Sequence, residues 1–107
     1  MSLRWTRKAI EDLEAIHDAA AADRPAAAER VVRALLSCGE DLRRHSRQGR
    51  PGRLDGTREL VAPRLPYLLV YSVAASMVDM EPEVAVLRVI HGAMRWPPED
   101  TSPNRPD

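Results

Sequence analysis

The sequence predicts an α+β domain in which an α-helical hairpin packs on an antiparallel sheet of about four strands. Two stretches, residues 7–22 and 25–44, carry apolar side chains at helical spacing. From residue 57 to residue 90 the apolar pattern becomes alternating or continuous, which is typical of β-strands. A short strand, then a run of helices, then a run of strands gives the order β-α-α-β-β-β.

The N-terminal half supplies the first strand and the hairpin. Residues 3–5 form a short strand, and Thr6 can cap the helix that follows. The apolar stripe of that helix is Ala9, Leu13, Ile16 and Ala20, widened by Ile10. Pro25 suits the first turn of a second helix, which is expected to run to about Arg44. Gly39 lies near the centre of its apolar stripe and predicts close packing of another backbone.

The C-terminal half supplies the sheet. Residues 46–56 are polar and rich in Gly, which predicts a loop. Three strands are expected at 57–62, 67–73 and 84–90, and the nearly continuous apolar run of the second places it centrally. Residues 76–82 form a longer connection. The segment 97–107 holds four of the nine prolines and is predicted to be disordered, so the domain spans 1–96.

Composition excludes several classes of protein. The single cysteine, Cys38, rules out an internal disulfide and leaves too few thiolates for a structural zinc site. Apolar runs are too short for a membrane span, and the N-terminus lacks the apolar region of a signal peptide. A cytoplasmic location is therefore expected. The net charge is zero, yet residues 41–64 carry seven arginines against three acidic residues.

Several strings in this order resemble the RelE/ParE superfamily of toxins. They are Gly49-Arg50-Pro51-Gly52, Thr57-Arg58-Glu59-Leu60-Val61, Leu65-Pro66-Tyr67-Leu68-Leu69-Val70-Tyr71 and Leu87-Arg88-Val89-Ile90-His91-Gly92-Ala93, followed by Arg95 and Trp96. The string of residues 9–16 also fits the first helix of that family. The resemblance covers residues 3–97. The chain is more similar to ParE-like members than to RelE-like members.

The resemblance implies a bacterial toxin of a type II toxin–antitoxin system, of the kind that serves plasmid stabilisation. A cognate antitoxin would neutralise it, in a heterotetramer or a higher assembly. RelE-like members cleave mRNA on the ribosome, whereas ParE-like members inhibit growth by poisoning DNA gyrase. No metal or organic cofactor is implied. A degenerate member that still binds a partner but has lost its toxicity is a third reading.

Residue by residue, the match argues against a RelE-like nuclease. Where that branch carries a strand arginine and two lysines, this chain has Leu68, Glu59 and Val61, which cannot hold a phosphate. No tyrosine follows Tyr71. The remaining candidate for acid–base catalysis is His91, whose alternative role is to close the last strand. Gyrase poisoning is therefore the expected function, and metal-independent cleavage of mRNA on the ribosome is the alternative.

A ParE-like poison needs a contact surface and no catalytic residues. The candidates for contact with the target or the antitoxin are Arg50, Arg53, Arg58, Arg88, Arg95 and Trp96. An arginine on an apolar strand face needs a partner. Arg58 and Arg88 therefore have a structural alternative, pairing with carboxylates such as Glu59 or Asp55. Arg88 is expected to share a face with Val86 and Ile90, and Trp96 either anchors the contact or packs on the rim of the sheet.

Overall fold

The computed structural model describes residues 2–75 and 82–98 of the chain. Its elements are β1 (Ser2–Trp5), α1 (Arg7–Asp23), α2 (Pro25–Asp41), β2 (Arg50–Pro51), β3 (Arg58–Val61), β4 (Tyr67–Ala75) and β5 (Pro82–His91). The five strands form one sheet in the order β1-β5-β4-β3-β2. Of the predicted connection at 76–82 and the predicted tail at 97–107, residues 76–81 and 99–107 lie outside the described residues, and Pro82 belongs to β5.

The predicted class and element order are confirmed, and the sheet differs in two details. It has five strands instead of four, because residues 50 and 51 of the predicted loop pair with β3 as the two-residue strand β2. It is also mixed. β3, β4 and β5 are antiparallel neighbours, but β1 pairs in parallel with β5, with Leu3 opposite Val84. Sequence periodicity identifies strands without identifying their neighbours, so this pairing was not accessible from the pattern.

Thr6 fastens the first strand, the first helix and the last strand together. Its backbone N–H donates to the carbonyl of Val86 at 3.0 Å, which continues the β1–β5 ladder by one residue. Its hydroxyl donates to the carbonyl of Leu87 at 3.1 Å and accepts from the N–H of Ala9 at 3.2 Å. The predicted N-cap is confirmed, and it also fixes the point where α1 leaves the sheet edge.

The helical hairpin turns at a proline. Arg24 has an extended backbone, which is the conformation that a following proline favours, and α2 begins at Pro25 as predicted. α2 ends at Asp41, three residues before the expected Arg44. Beyond it the N–H groups of residues 42–44 bond to carbonyls only three residues back, so the helix tightens into turns.

One face of the sheet forms the core against both helices. α1 contributes Ala9, Leu13 and Ile16, and α2 contributes Leu35, and these pack on strand and turn residues Ala62, Leu69, Val86 and Val89. Beyond one end of this cluster, Tyr71 packs with Leu42 and Val84 and is fully buried. Ile10, which was expected to widen the buried stripe, is 46% exposed and faces outward with Leu36.

Gly39 is buried in α2 because the indole of Trp5 occupies the space of its missing side chain. A Cβ atom at this position would lie 2.3 Å from Cζ2 of Trp5. Close packing at Gly39 was therefore predicted correctly, but its partner is an aromatic side chain and not a backbone. Through this contact the edge strand β1 packs directly on α2.

We expect Gly39→Ala to destabilise the fold, although alanine is the better helix former by about 1 kcal/mol. Displacing a packed indole costs about 1–3 kcal/mol, so the net change should be a loss. The measurement is urea unfolding followed by circular dichroism. Ser37→Ala, at an exposed position of the same helix, serves as the matched control and should leave the midpoint nearly unchanged. A higher midpoint for Gly39→Ala would contradict the packing described here.

Candidate functional site

The face of the sheet that points away from the helices collects most of the candidate residues. Glu59 pairs with Val70 and Val61 pairs with Leu68 across the β3–β4 ladder. Directly paired residues share a face. Leu68, Val70 and Ile90 form a second apolar cluster with Trp96, apart from the helix-facing core. We call this the outer face. The three positions at which a RelE-like nuclease would carry cations, 59, 61 and 68, thus lie together on it.

Glu59 is the most deeply buried charged residue of the outer face, with 2% of its surface exposed. Nη2 of Arg50 donates to Oε1 at 3.1 Å. Arg53 donates three times, from its backbone N–H and Nε to Oε2 at 3.0 and 3.1 Å and from Nη2 to Oε1 at 3.2 Å. Burial alone would raise the pKa of Glu59, but these bonds from Arg53 and Arg50 outweigh it and hold the pKa below its ordinary value.

The bonds from Arg50 and Arg53 to Glu59 therefore hold the 49–57 loop against the sheet. Both arginines remain partly exposed, with 60% and 43% of their side chains accessible. They can reach a partner only with the parts of their side chains that point away from Glu59. Arg50 and Arg53 were predicted as contact residues; the structure gives both a structural bond and leaves their outer surfaces open.

Arg58 lies on the opposite, helix-facing side of β3, across from Tyr71. Its Nη1 donates to the carbonyls of Gly49 at 2.6 Å and Arg47 at 3.2 Å. The structural alternative expected a carboxylate partner, such as Glu59 or Asp55. That was wrong, because Glu59 points to the other face and the end of the 47–49 segment offers two carbonyls instead.

Gly49 completes this anchor. Its N–H donates to the hydroxyl oxygen of Tyr71 at 2.9 Å. A Cβ at residue 49 would lie 2.7 Å from that oxygen and 2.8 Å from the carbonyl oxygen of Glu59, so only glycine fits. The fully buried phenol thus holds the chain that enters β2.

A β-bulge places Arg88 on the outer face. Val70 pairs with Arg88 but Tyr71 pairs with Val86, so Leu87 is the extra residue of β5. Arg88 therefore shares a face with Ile90, as expected, but not with Val86, which belongs to the helix-facing core. The alternation used in the prediction failed because one residue does not fit the two-residue period.

Arg88 bonds to a carboxylate that the sequence did not reveal. Its Nε and Nη2 donate to Asp12 of α1 at 2.7 and 3.1 Å. The same carboxylate accepts the N–H of Val89 at 2.9 Å, on the part of β5 that lies beyond β1. The carboxylate of Asp12 thus accepts hydrogen bonds both from a backbone N–H at the edge of the sheet and from the guanidinium of Arg88. The two residues are 76 positions apart, and no local pattern connects them.

The C-terminal turn closes the outer face. The ring of Trp96 packs on Leu68, Val70 and Ile90, and the guanidinium carbon of Arg88 lies 5.4 Å from its centroid. The indole is 9% exposed, yet its buried Nε1–H has no acceptor among the described residues. The turn itself, residues 91–95, is exposed and includes Arg95.

His91 stands at the end of β5 with its imidazole exposed. Its Nδ1 accepts the N–H of Ala93 at 3.0 Å, and its ring meets the ring of Tyr67 edge to face. Because Nδ1 accepts that bond, the neutral ring carries its proton on Nε2. In this geometry the neutral His91 presents a hydrogen-bond donor at Nε2 and no free lone pair, so it is not placed to act as a base.

The hairpin presents a groove on its solvent side. The groove has a volume of about 400 Å³ and is lined by Ile10, Leu13, Glu14, His17, Asp18 and Val32. A second depression beside it includes Leu36. Ile10 and Leu36 are 46% and 40% exposed, so two large apolar side chains flank this surface.

Within residues 2–75 and 82–98, no three His, Cys, Asp or Glu side chains converge as metal ligands would. In the same ranges, neither helix has the length and apolar character needed to cross a membrane.

The geometry defines a small α+β domain with a helical hairpin on one face of a mixed sheet and an arginine-rich loop closing the other. The family model of the ParE toxin of type II toxin–antitoxin systems matches residues 3–96. The protein belongs to this family, within the RelE/ParE superfamily of toxins.

Individual relatives agree. Y4kP of Sinorhizobium fredii, provisionally named a toxin, is 35% identical over 95 residues, which span 89% of this chain and 92% of the relative. A structure of the chromosomal ParDE toxin–antitoxin system of P. aeruginosa matches with a TM-score of 0.75 and 32% identity, covering 85% of this chain and 95% of that one. The RelBE2 toxin–antitoxin complex of Mycobacterium tuberculosis matches with a TM-score of 0.57 and 30% identity. The match covers 84% of this chain and 88% of that one.

Glu59→Gln should destabilise the protein by about 2 kcal/mol at neutral pH, because hydrogen bonds to a charged group are lost from a buried position. The pKa of Glu59 is lowered in the fold from its ordinary value of 4.5. Its contribution is therefore present above that pH and declines as the pH falls below it. The measurement is urea unfolding of both proteins from pH 7 to pH 3.

Asp55→Asn, in the exposed part of the same loop, is the matched control and should track the wild type throughout. The difference between wild type and Glu59→Gln should shrink with acid. A difference that stays constant across this range would show that the charge of Glu59 does not stabilise the loop.

Proposed function

We propose that this toxin inhibits growth by poisoning DNA gyrase through protein–protein contact and that a cognate antitoxin neutralises it. One observation carries the proposal. The three outer-face positions that matter for RelE-like cleavage hold Glu59, Val61 and Leu68, side by side in the β3–β4 ladder. Cleavage of RNA without a metal needs positive groups around the phosphate, and this face offers a carboxylate and two aliphatic side chains.

The surroundings of these residues strengthen the case. Glu59 already bonds to the guanidinium groups of Arg50 and Arg53 and offsets one of their two positive charges. Leu68 is 4% exposed beneath Trp96, which fills the space that a phosphate would need. A phosphate on this face would lose hydration and would meet only guanidinium groups that already pair with Glu59 or Asp12.

His91 supports the alternative of mRNA cleavage on the ribosome only in part. An exposed imidazolium can donate a proton to a leaving oxygen. The neutral ring is not placed to activate the 2′-hydroxyl as a base, because Nδ1 already accepts the N–H of Ala93. His91 also pairs with Tyr67 on the helix-facing side of the sheet, away from the outer face.

The C-terminal turn is the surface we assign to the target. Arg95 and Met94 are exposed there, next to the ring of Trp96. Aromatic and arginine side chains are those that anchor interfaces most often.

For the antitoxin, we assign the groove on the solvent side of the hairpin. The exposed apolar side chains of Ile10 in this groove and Leu36 in the depression beside it suit the apolar face of an amphipathic segment. Two solved structures that this chain resembles are described as toxin–antitoxin systems, which supports such a partner. Both partners would act in the cytoplasm, in a heterotetramer or a higher assembly.

Induced expression in a bacterial host tests the target. If the proposal is right, DNA double-strand breaks and a DNA-damage response will appear while mRNA 5′ ends stay unchanged. The readouts are pulsed-field electrophoresis of the chromosome and mapping of 5′ ends from one culture. Message cuts phased with codons, without DNA breaks, would contradict the proposal and favour the nuclease alternative.

Arg95→Ala should weaken the toxicity at least severalfold, because it removes a charge from the assigned surface. The matched control is Arg30→Ala, which removes the same charge from an exposed position of α2. Colony counts after induction measure toxicity, and circular dichroism checks that both variants fold. Equal toxicity of the two variants would remove Arg95 from the contact surface.

A further inference from the structure

Four arginines of the 47–58 segment divide into two pairs. Arg50 and Arg53 share the carboxylate of Glu59. Arg58 bonds only to backbone carbonyls among the described residues, and Arg47 has no ion pair there. The second pair thus carries two positive charges that no carboxylate of the described chain balances.

These two arginines border one depression at the edge of the sheet. It has a volume of about 230 Å³ and is lined by Arg47, Pro51, Gly56, Thr57, Arg58 and Val73. No acidic side chain is among them. Both charges act on the pKa of the nearby Tyr71. Burial raises its pKa, while the N–H of Gly49 and the charges of Arg58 and Arg47 act to lower it. Arg47 and Arg58 both line this depression.

The depression adjoins an open strand edge. The N–H of Ala62 donates to the carbonyl of Tyr67 at 3.0 Å, so Tyr67 directs its backbone groups towards β3. In an antiparallel ladder every second residue does the same. Counting along β4, Val73 and Ala75 point their N–H and C=O groups to that side. However, β3 begins at Arg58, opposite Tyr71, so no described strand meets them.

We propose that this edge binds an extended acidic segment of a partner protein, which adds as a strand beside Val73 and Ala75. One carboxylate of that segment pairs with Arg47 and Arg58 in the depression. This inference rests on the proposed function in one respect, namely that the toxin acts through protein partners. It adds a second binding surface, remote from the hairpin groove, and names its chemistry.

The geometry favours a peptide over a nucleic acid. Unpaired backbone donors and acceptors on a strand edge are matched by another peptide backbone, which offers the same groups at the same spacing. A depression of about 230 Å³ accommodates one carboxylate group, and Val73 and Pro51 supply apolar walls. Nucleic-acid binding would use a broad basic surface, whereas Arg50 and Arg53 beside the depression already pair with Glu59.

The test uses the full chain, labelled with ¹⁵N, and a capped hexapeptide of sequence Thr-Thr-Glu-Val-Thr-Thr as the probe. We expect saturable shifts of the Val73 and Ala75 amides and slower hydrogen exchange at both. Replacing Glu in the peptide by Gln should weaken binding about three- to tenfold, as should Arg47→Ala in the protein. For the Arg47→Ala protein, the difference in affinity between the Glu peptide and the Gln peptide should be smaller than for the wild type.

Arg44→Ala is the matched control, since it removes an exposed charge outside the depression. It should bind the peptide almost as the wild type does. Unchanged amides at Val73 and Ala75, equal binding of the Glu and Gln peptides, or stronger shifts with a single-stranded oligothymidine would each overturn the inference. None of these results depends on gyrase, so a failure here is distinguishable from a failure of the proposed function.

Discussion

A sheet covered by helices on one face must bury its other face by different means, and most features of this protein follow from that constraint. The hairpin covers Leu69, Val86 and Val89. On the outer face, the 49–57 loop is held by Glu59 and the C-terminal turn is held by Trp96. Both covers are short segments fixed by one side chain each. Their arginines therefore stay half-exposed and serve structure and surface at once.

The same constraint shapes what this member of the family can do. On the outer face a carboxylate replaces a cation at residue 59, and its burial draws two arginines inward. An aliphatic residue at position 68 allows the indole of Trp96 to settle over the sheet. The residues that remain accessible lie at the rim, where they can meet another protein.

Sequence reasoning reached the fold class, the Thr6 cap and the turn at Pro25, because these depend on neighbours within a few residues. It also singled out Arg50, Arg53 and Trp96, but as candidates for contact with a partner and, for Trp96, alternatively as packing on the rim of the sheet. It could not reach interactions between distant segments. Asp12 looks like any polar residue of an amphipathic helix, and its bond to Arg88 spans 76 positions. The bulge at Leu87 inverted the expected face of Val86 relative to Arg88, since alternation assumes an unbroken ladder. Arg58 found backbone carbonyls where a carboxylate was expected, because the path of the 47–49 segment is set by Tyr71.

The most direct measurement is a reconstitution with purified components. The toxin would be added to DNA gyrase with supercoiled plasmid and, in parallel, to ribosomes programmed with a defined message. The structure predicts linear plasmid in the first reaction, dependent on gyrase, and an intact message in the second. Cleaved message with unbroken plasmid would contradict the account, because it would mean that the outer face supports phosphate chemistry despite Glu59, Val61 and Leu68.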